Sequence, residues 1–397
     1  MNKSRPGFRR TLRAASVFGL CFATLASPLA TPMAIAQDLS AIKVPPRFSR
    51  PASNTDEGGL WGLMDREEVR LKRSPLTIQD QALKEYLTEL VCRLSDGHCP
   101  DIRVHAVRTP HFNAMMAPNG MMLVWSGLLL RVENEAQLVA ILGHELGHYL
   151  ERHQVEQLRA AKNQAVLSTM VGMVGGVGGF LGQMGLMANM FAFSREHEAR
   201  ADRMGMRLMR HAGYDGREAA VVWDNLLAEL QVTGGKEAGK RGDLFETHPA
   251  TAGRRDELLQ LAGDVGGELG ADRFRKVIAP LRLGWLQDEV KRGQYEESLV
   301  LFERMLKKDP QDVEVLYARG EVYRRRDEAG DVGKALADLD RASRLAKAPA
   351  DTFRALGLVH KQRNDRAGAV QAFETYLAQA PQAPDAGMVR SYLEELK

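Results

Sequence analysis

The string LGHELGH, residues 142–148, constrains the fold of this chain more than any other stretch. On a helix, His144 and His148 lie four residues apart and so one above the other, with Glu145 on the adjoining face. Two imidazoles placed this way can share one Zn²⁺, while the carboxylate beside them reaches a water on the metal. Zinc needs a third protein ligand, so a second segment must fold back against this helix. His153 is nine residues from His144, which at 3.6 residues per turn directs it to the opposite face and toward solvent. The metzincin pattern needs Gly at 151 and His at 154; Glu151 and Gln154 stand there, which excludes that class. The stretch SREHEARAD, 194–202, offers the missing ligand. Glu198 and Asp202 are one turn apart on one face, so Glu198 can bind the metal while Asp202 accepts the N–H of a liganding histidine. Glu196 and His197 compete with Glu198 for that role.

The same requirement bears on the apolar, glycine-laden run 170–191. One crossing of a bilayer there would leave His148 and Glu198 on opposite sides, unable to meet at one ion. A there-and-back hairpin needs about 40 apolar residues, and the run has about half that. It reads as a buried connection between the two metal-binding helices, with no transmembrane span in the mature chain.

The N-terminus carries Lys3, Arg5, Arg9, Arg10 and Arg13, then an apolar run from Ala14 to Ala30, then Ala34, Ile35 and Ala36. That is the layout of a secretory signal peptide, residues 1–36, cleaved after Ala36. Leu20 before Cys21 argues against lipidation. The leader holds five positive and no negative side chains, so its loss takes the net charge from +3 to −2. Nothing basic remains to argue for nucleic acid, and Arg324, Arg325 and Arg326 read as a solvated helix face. Cys92 and Cys99 remain, in a compartment where disulfides persist, and are expected to bridge.

Residues 37–75 lack steady periodicity and read as an extended arm. A metallopeptidase unit is expected over 76–270 and a second unit over 280–397. In the first, Leu83, Leu87, Leu90, Val91 and Leu94 recur at helical spacing, and Ile102, Val104 and Ala106 alternate as in a strand. Pro118, Asn119 and Gly120 separate two short apolar runs, which makes a hairpin. Asn134 with Gln137 three later opens the histidine-bearing helix. In the second unit, segments 293–310, 330–347 and 365–381 echo one another. Ser298, Ala335 and Ala369 correspond, as do Phe302, Leu339 and Phe373, with Gly284, Gly320 and Gly357 upstream. A period near 34 with small residues at the crossings looks like tetratricopeptide repeats, an all-α stack that presents a face to a partner.

Taken in order, NAMMAPNGMMLVWSGLL, HELGH, SREHEARAD and Thr247-His248-Pro249, followed by the repeats, resemble a family of zinc metallopeptidases. That family includes the CAAX prenyl proteases, the heat-shock protease HtpX and the mitochondrial Oma-type enzymes; the likeness is to its periplasmic branch serving β-barrel assembly. The resemblance implies an α+β zincin-like domain, mostly helical with a small sheet and an edge-strand hairpin. It also implies His144, His148 and Glu198 as zinc ligands, Glu145 as catalytic base, and His248 near the metal as fourth ligand or transition-state donor. Arg200 stands where the family often has an acidic residue.

These readings converge on an exported zinc endopeptidase of gluzincin type, one Zn²⁺ per chain, acting in the periplasm on unfolded or stalled envelope proteins. The repeats would recruit substrate or the outer-membrane assembly machinery. Met121 to Trp125 would line the cleft and pair with extended substrate; Arg254, Arg255 and His248 are candidate oxyanion donors. The alternative is a repeat-based chaperone or adaptor for which the peptidase domain is mainly a support. A membrane-embedded prenyl protease fails on the short apolar run.

Overall fold

The computed structural model describes residues 39–95, 97–160, 193–233, 248 and 252–396. The leader and the run 170–191 lie outside the described residues.

The expected arm is not extended throughout: Leu39–Ala41 form a short 3-10 turn, and Asp56–Lys72 form helix α1. The Thr55 side chain caps it by accepting from the Gly58 N–H, and Leu60, Leu63, Met64 and Leu71 bury one face. Three glycines and the dense charges between those residues hid the stripe. Helix α2 (Gln81–Leu94) starts on Asp80, whose carboxylate accepts from the Leu83 N–H, and buries the expected leucines. Cys92, in its last turn, is bridged to Cys99 beyond its end.

Three strands follow, β1 (Arg103–Val107), β2 (Ala114–Met116) and β3 (Met121–Trp125), in the order β1-β3-β2. The expected hairpin is β2–β3, turning at Gly120, where φ is +86° and a Cβ would sit 2.1 Å from the Asp101 carbonyl oxygen. The strand expected to line the cleft is placed differently. β3 pairs in parallel with β1 and antiparallel with β2, so both its edges are filled and it cannot take up substrate. All five of its residues are buried, as a continuous apolar run in a central strand requires. Among the described strands, the edge strand beside the histidine-bearing helix is β2, whose outward Met116 carbonyl accepts from the Gln154 side chain at 2.9 Å.

After α3 (Ser126–Arg131) comes α4 (Glu135–Leu150), capped by the Asn134 side chain accepting from the Gln137 N–H. The chain continues through α5 (His153–Ala160), α6 (Arg195–His211), α7 (Glu218–Gln231) and α8 (Ala252–Ala262). A 22-residue helix, α9 (Ala271–Arg292), then occupies the interval between the two expected units and runs on through Pro280.

The repeats are the helix pairs α9 with α10 (Tyr295–Lys308), α11 (Val313–Arg326) with α12 (Asp331–Ser343), and α13 (Ala350–Gln362) with α14 (Arg366–Gln379), closed by α15 (Ala386–Glu395). Two of the three crossings fall at the positions the sequence echo marked; Gly284 of α9 instead faces Arg108, where a Cβ would lie 3.6 Å from Nη2. A Cβ at Gly320 would lie 2.6 Å from Leu339, and one at Gly357 2.3 Å from the Phe373 ring. Buried charge ties the stack to the peptidase side: the Arg131 guanidinium, from α3, donates to Glu229 of α7 at 2.8 Å and to Glu289 of α9 at 2.9 Å. Among the described residues, no helix is long and apolar enough to cross a membrane.

Candidate metal centre

The site depends on how closely α4 and α6 approach. A Cβ on Gly147 would sit 2.6 Å from the Ala201 carbonyl oxygen, and one on Gly205 2.8 Å from the His144 backbone nitrogen. No side chain fits at either point, so bare backbone lets the two helices touch. The imidazoles of α4 thereby face Glu198 of α6 within the protein, and His248 closes the group from a third segment.

His144, His148, Glu198 and His248 each offer one ligand atom, all within 4.8 Å of one another, and all four residues are buried. His144 Nε2 lies 3.0 Å from His148 Nε2, 3.5 Å from Glu198 Oε2 and 3.2 Å from His248 Nδ1. Glu198 Oε1 lies 3.5 Å from His148 Nε2 and 2.8 Å from His248 Nδ1. A tetrahedral ion with bonds of about 2.0–2.1 Å holds its donors about 3.3 Å apart, which is the spacing of this cage. Beside it, Glu145 Oε1 is buried without a hydrogen-bond partner among the described residues, 3.7 Å from His248 Nε2.

Electrostatics favour a cation here. Burial opposes charge on Glu198, yet the surrounding imidazoles outweigh it and hold the carboxyl well below the usual range. Burial likewise opposes charge on Asp202, but the Arg254 guanidinium and His144 bring its carboxyl down to about 2. For Glu145, burial prevails and pushes its pKa up, against the opposing pull of His248 and His144. Burial also drives His148 far down, which keeps its ring neutral and its lone pair available. His248 goes the other way: burial lowers it, and the carboxylates of Glu198 and Glu145 raise it by more.

Asp202 stands where it was expected, with Oδ1 2.8 Å from His144 Nδ1. The two competitors for the ligand role are elsewhere: Glu196 is exposed, and His197 faces Glu156 at 3.1 Å. Arg254 is no oxyanion donor in this arrangement. It grips Asp202 at 2.7 Å and Glu198 at 2.8 Å while its guanidinium lies over the Trp223 ring at 4.4 Å, so it holds the two carboxylates of α6 in place. Arg255 pairs with Asp224 at 2.9 Å, away from the cage. Arg200 bridges Glu151 and Glu156, fixing α6 to the end of α4 and to α5 and not pairing with Glu198.

His153 corrects the sequence reading most sharply. It is fully buried, with Nδ1 2.9 Å from His148 Nδ1, and burial pushes its imidazolium down to about 3. The wheel projection failed because α4 ends at Leu150 and the backbone reverses at Arg152, with φ of +59°, before α5 begins. Gln154 next to it was also overlooked: its Nε2 donates to the Met116 carbonyl of β2 at 2.9 Å. The close approach of α4 and α6 did leave a readable sign, small residues four apart on both helices at Gly143 and Gly147 and at Ala201 and Gly205.

A helix carrying paired histidines and a glutamate, completed by a carboxylate from a second helix, defines the metallopeptidase class. Residues 77–262 match Peptidase family M48, and residues 283–351 and 327–394 match tetratricopeptide repeats, so the chain carries an M48 peptidase domain followed by such repeats. It is 32% identical over 158 residues to the mitochondrial metalloendopeptidase OMA1 of Arabidopsis thaliana, covering 40% of this chain and 31% of that protein. It is 30% identical over 153 residues to the protein of the same name in Schizosaccharomyces pombe, covering 38% and 44%. With the β-barrel assembly-enhancing protease of Escherichia coli (strain K12) the identity is 25% over 246 residues, covering 57% of this chain and 48% of that one. The chain thus spans about a third to a half of the length of these curated relatives.

Proposed function

We propose that this protein is an exported zinc-dependent endopeptidase with His144, His148 and Glu198 as metal ligands and Glu145 as general base. The observation that carries the reading is the cage of four donors 2.8–3.5 Å apart with an unpartnered Glu145 oxygen beside it. Two imidazoles and a carboxylate suit zinc, which when bound supplies a water acidified toward neutral pH and polarises the scissile carbonyl. Glu145 takes the proton of the attacking water at Oε1 and passes it to the departing amine nitrogen. Asp202 holds the His144 ring through Nδ1, and Arg254 keeps Asp202 and Glu198 ionised and aimed.

His248 occupies the fourth corner in this arrangement, where a catalytic site needs an opening for water and substrate. It therefore acts as a ligand of the resting state and must withdraw before hydrolysis. The closed site also suits a second role, in which the chain serves as a repeat-based chaperone or adaptor. Extended substrate pairs with the outer edge of β2 rather than with β3, displacing the Gln154 side chain from the Met116 carbonyl, through main-chain hydrogen bonds that tolerate many sequences.

The substrates we infer are unfolded or stalled envelope proteins in the periplasm, with the repeats recruiting them or the outer-membrane assembly machinery. Support comes from the name borne by the Escherichia coli relative and from the Cys92–Cys99 bridge, which suits an oxidising compartment. Glu145→Gln tests the chemistry: the variant should lose proteolysis of an unfolded model substrate while retaining one zinc per chain by elemental analysis. Undiminished cleavage by the variant, or a parent protein without stoichiometric zinc, refutes the assignment.

A further inference from the structure

His148 is held on both sides. One face of its ring stacks on Phe193, with centroids 3.9 Å apart and planes 24° from parallel, while its edge meets His153 with the two Nδ1 atoms 2.9 Å apart. Two ring nitrogens at that distance cannot both carry a proton and cannot both present a lone pair; one donates and the other accepts. The opposite nitrogen of His148, Nε2, points into the cage, 3.0 Å from His144 Nε2 and 3.5 Å from Glu198 Oε1. A metal ligand needs its lone pair there, so the proton of neutral His148 sits on Nδ1. His153 Nδ1 must then be the acceptor.

We propose that His153 is the positioning residue of His148, a neutral imidazole that fixes the tautomer and orientation of this ligand as Asp202 does for His144. This rests on the metal-ligand reading given above. The two ligands are then supported by unlike partners: a carboxylate stands 2.8 Å behind His144 and an uncharged ring 2.9 Å behind His148. The difference follows from the charge already present. Asp202 behind His144 is itself paired with the Arg254 guanidinium at 2.7 Å, whereas an uncharged ring behind His148 adds no buried carboxylate that would need a partner of its own. An outer layer keeps His153 in place. Its ring stacks on His197, with centroids 4.5 Å apart, and His197 Nε2 meets Glu156, which Arg200 also holds. The turn at Arg152 delivers His153 to this point, which explains why the left-handed backbone there is tolerated.

Two variants of the full-length chain separate positioning from space-filling. His153→Phe keeps ring volume and removes the acceptor; His153→Asn places an amide oxygen where Nδ1 was. Zinc affinity is read by chelator competition, and the thermal midpoint of the zinc-free protein is read alongside. His153→Phe should bind zinc about 10- to 100-fold more weakly, the usual loss when such a support is removed, whereas His153→Asn should stay within about threefold of the parent. Parental affinity in both variants overturns the proposal, and so does an equal loss in both. Histidine-selective ¹⁵N NMR of the zinc-loaded parent gives a second reading that needs no folded Phe variant. A proton on His148 Nδ1 and on His153 Nε2, assigned by difference against His153→Asn, supports the inference; the reverse tautomers overturn it. A parent that binds no zinc would sink the metal-ligand reading and this inference with it, whereas reverse tautomers in a zinc-loaded parent overturn the inference alone.

Discussion

Gly147→Ala is a sharp test of how this site is built, because one methyl group pits helix propensity against metal geometry. The added carbon would lie 2.6 Å from the Ala201 carbonyl oxygen and 2.9 Å from the Ala201 Cα, both on α6. Ordinary contact between such atoms begins near 3.5 Å, so the helices must separate by about 0.5–0.9 Å. Alanine favours a helix interior over glycine by about 1 kcal/mol, and the overpacking costs about 1–3 kcal/mol. The zinc-free protein should therefore lose only about 1 kcal/mol. The cage suffers more. The separations of 3.5 Å from Glu198 to His144 and to His148 cross between the same two helices. Widened by that shift they approach about 4.1 Å, where two donors with bonds near 2.05 Å reach one ion only from opposite sides. Zinc affinity by chelator competition should fall at least 10-fold, against a mild shift in the urea midpoint of the zinc-free protein. Gly59→Ala is the control: nothing lies within 4 Å of its Cβ, so it should gain stability and leave zinc binding alone. Parental zinc affinity in Gly147→Ala would show that the close helix contact does not set the donor spacing.

Two further outcomes concern the scaffold. Burial opposes ionisation of Glu68, but hydrogen bonds from Arg103, Lys72 and His105 outweigh it and hold the carboxyl at about 2. Its folded value lies below the unfolded value of about 4.3, so its stabilisation is complete above about pH 5 and is lost as pH falls toward 2. Glu68→Gln should lower stability at pH 7 and flatten the acid limb of a urea-denaturation profile; a limb parallel to that of the parent would refute this. Arg131→Met should cost about 3 kcal/mol, the low end for breaking a buried pair, because Arg304 still reaches Glu229 and Arg292 still reaches Glu289. A loss below about 1 kcal/mol would mean those two residues already suffice.

The repeat region was the most legible part of the chain, and the reason is physical. Each helix pair must bury the same face against the next, so the small residues at its crossings recur where backbone or ring has to fit, at Gly320 against Leu339 and Gly357 against Phe373. The N-terminal segment was the least legible. Helix α1 carries five buried apolar residues among charges and three glycines, and its stripe emerges only once Leu60, Leu63, Met64 and Leu71 have a sheet to pack on. The sheet itself lay between these cases. Alternation and a Pro-Asn-Gly turn located the hairpin, but a strand's pattern does not reveal how many neighbours it has. The parallel pairing of β1 with β3 comes from a contact between Arg103 and Met121 that no local signal encodes.

For the metal centre, the residues within one helix were readable and those joining helices were only partly so. Spacing alone put His144, His148 and Glu145 together, and one turn of α6 put Asp202 behind Glu198. Selecting Glu198 over Glu196 and His197 required the family resemblance, since helical geometry presents all three near one helix start; the structure separates them by burial, with Glu198 inside and Glu196 exposed. His153 shows where projection on a helical wheel stops being valid. The projection assumes 100° per residue without interruption, and a single residue with positive φ at 152 replaces that rotation with a reversal. The residue placed on the far side of the paired histidines by counting is thereby brought into hydrogen-bond contact with His148. A histidine just beyond the end of a metal-binding helix therefore cannot be dismissed by its phase: the turn between decides which way it points, and here Arg152 turns it inward.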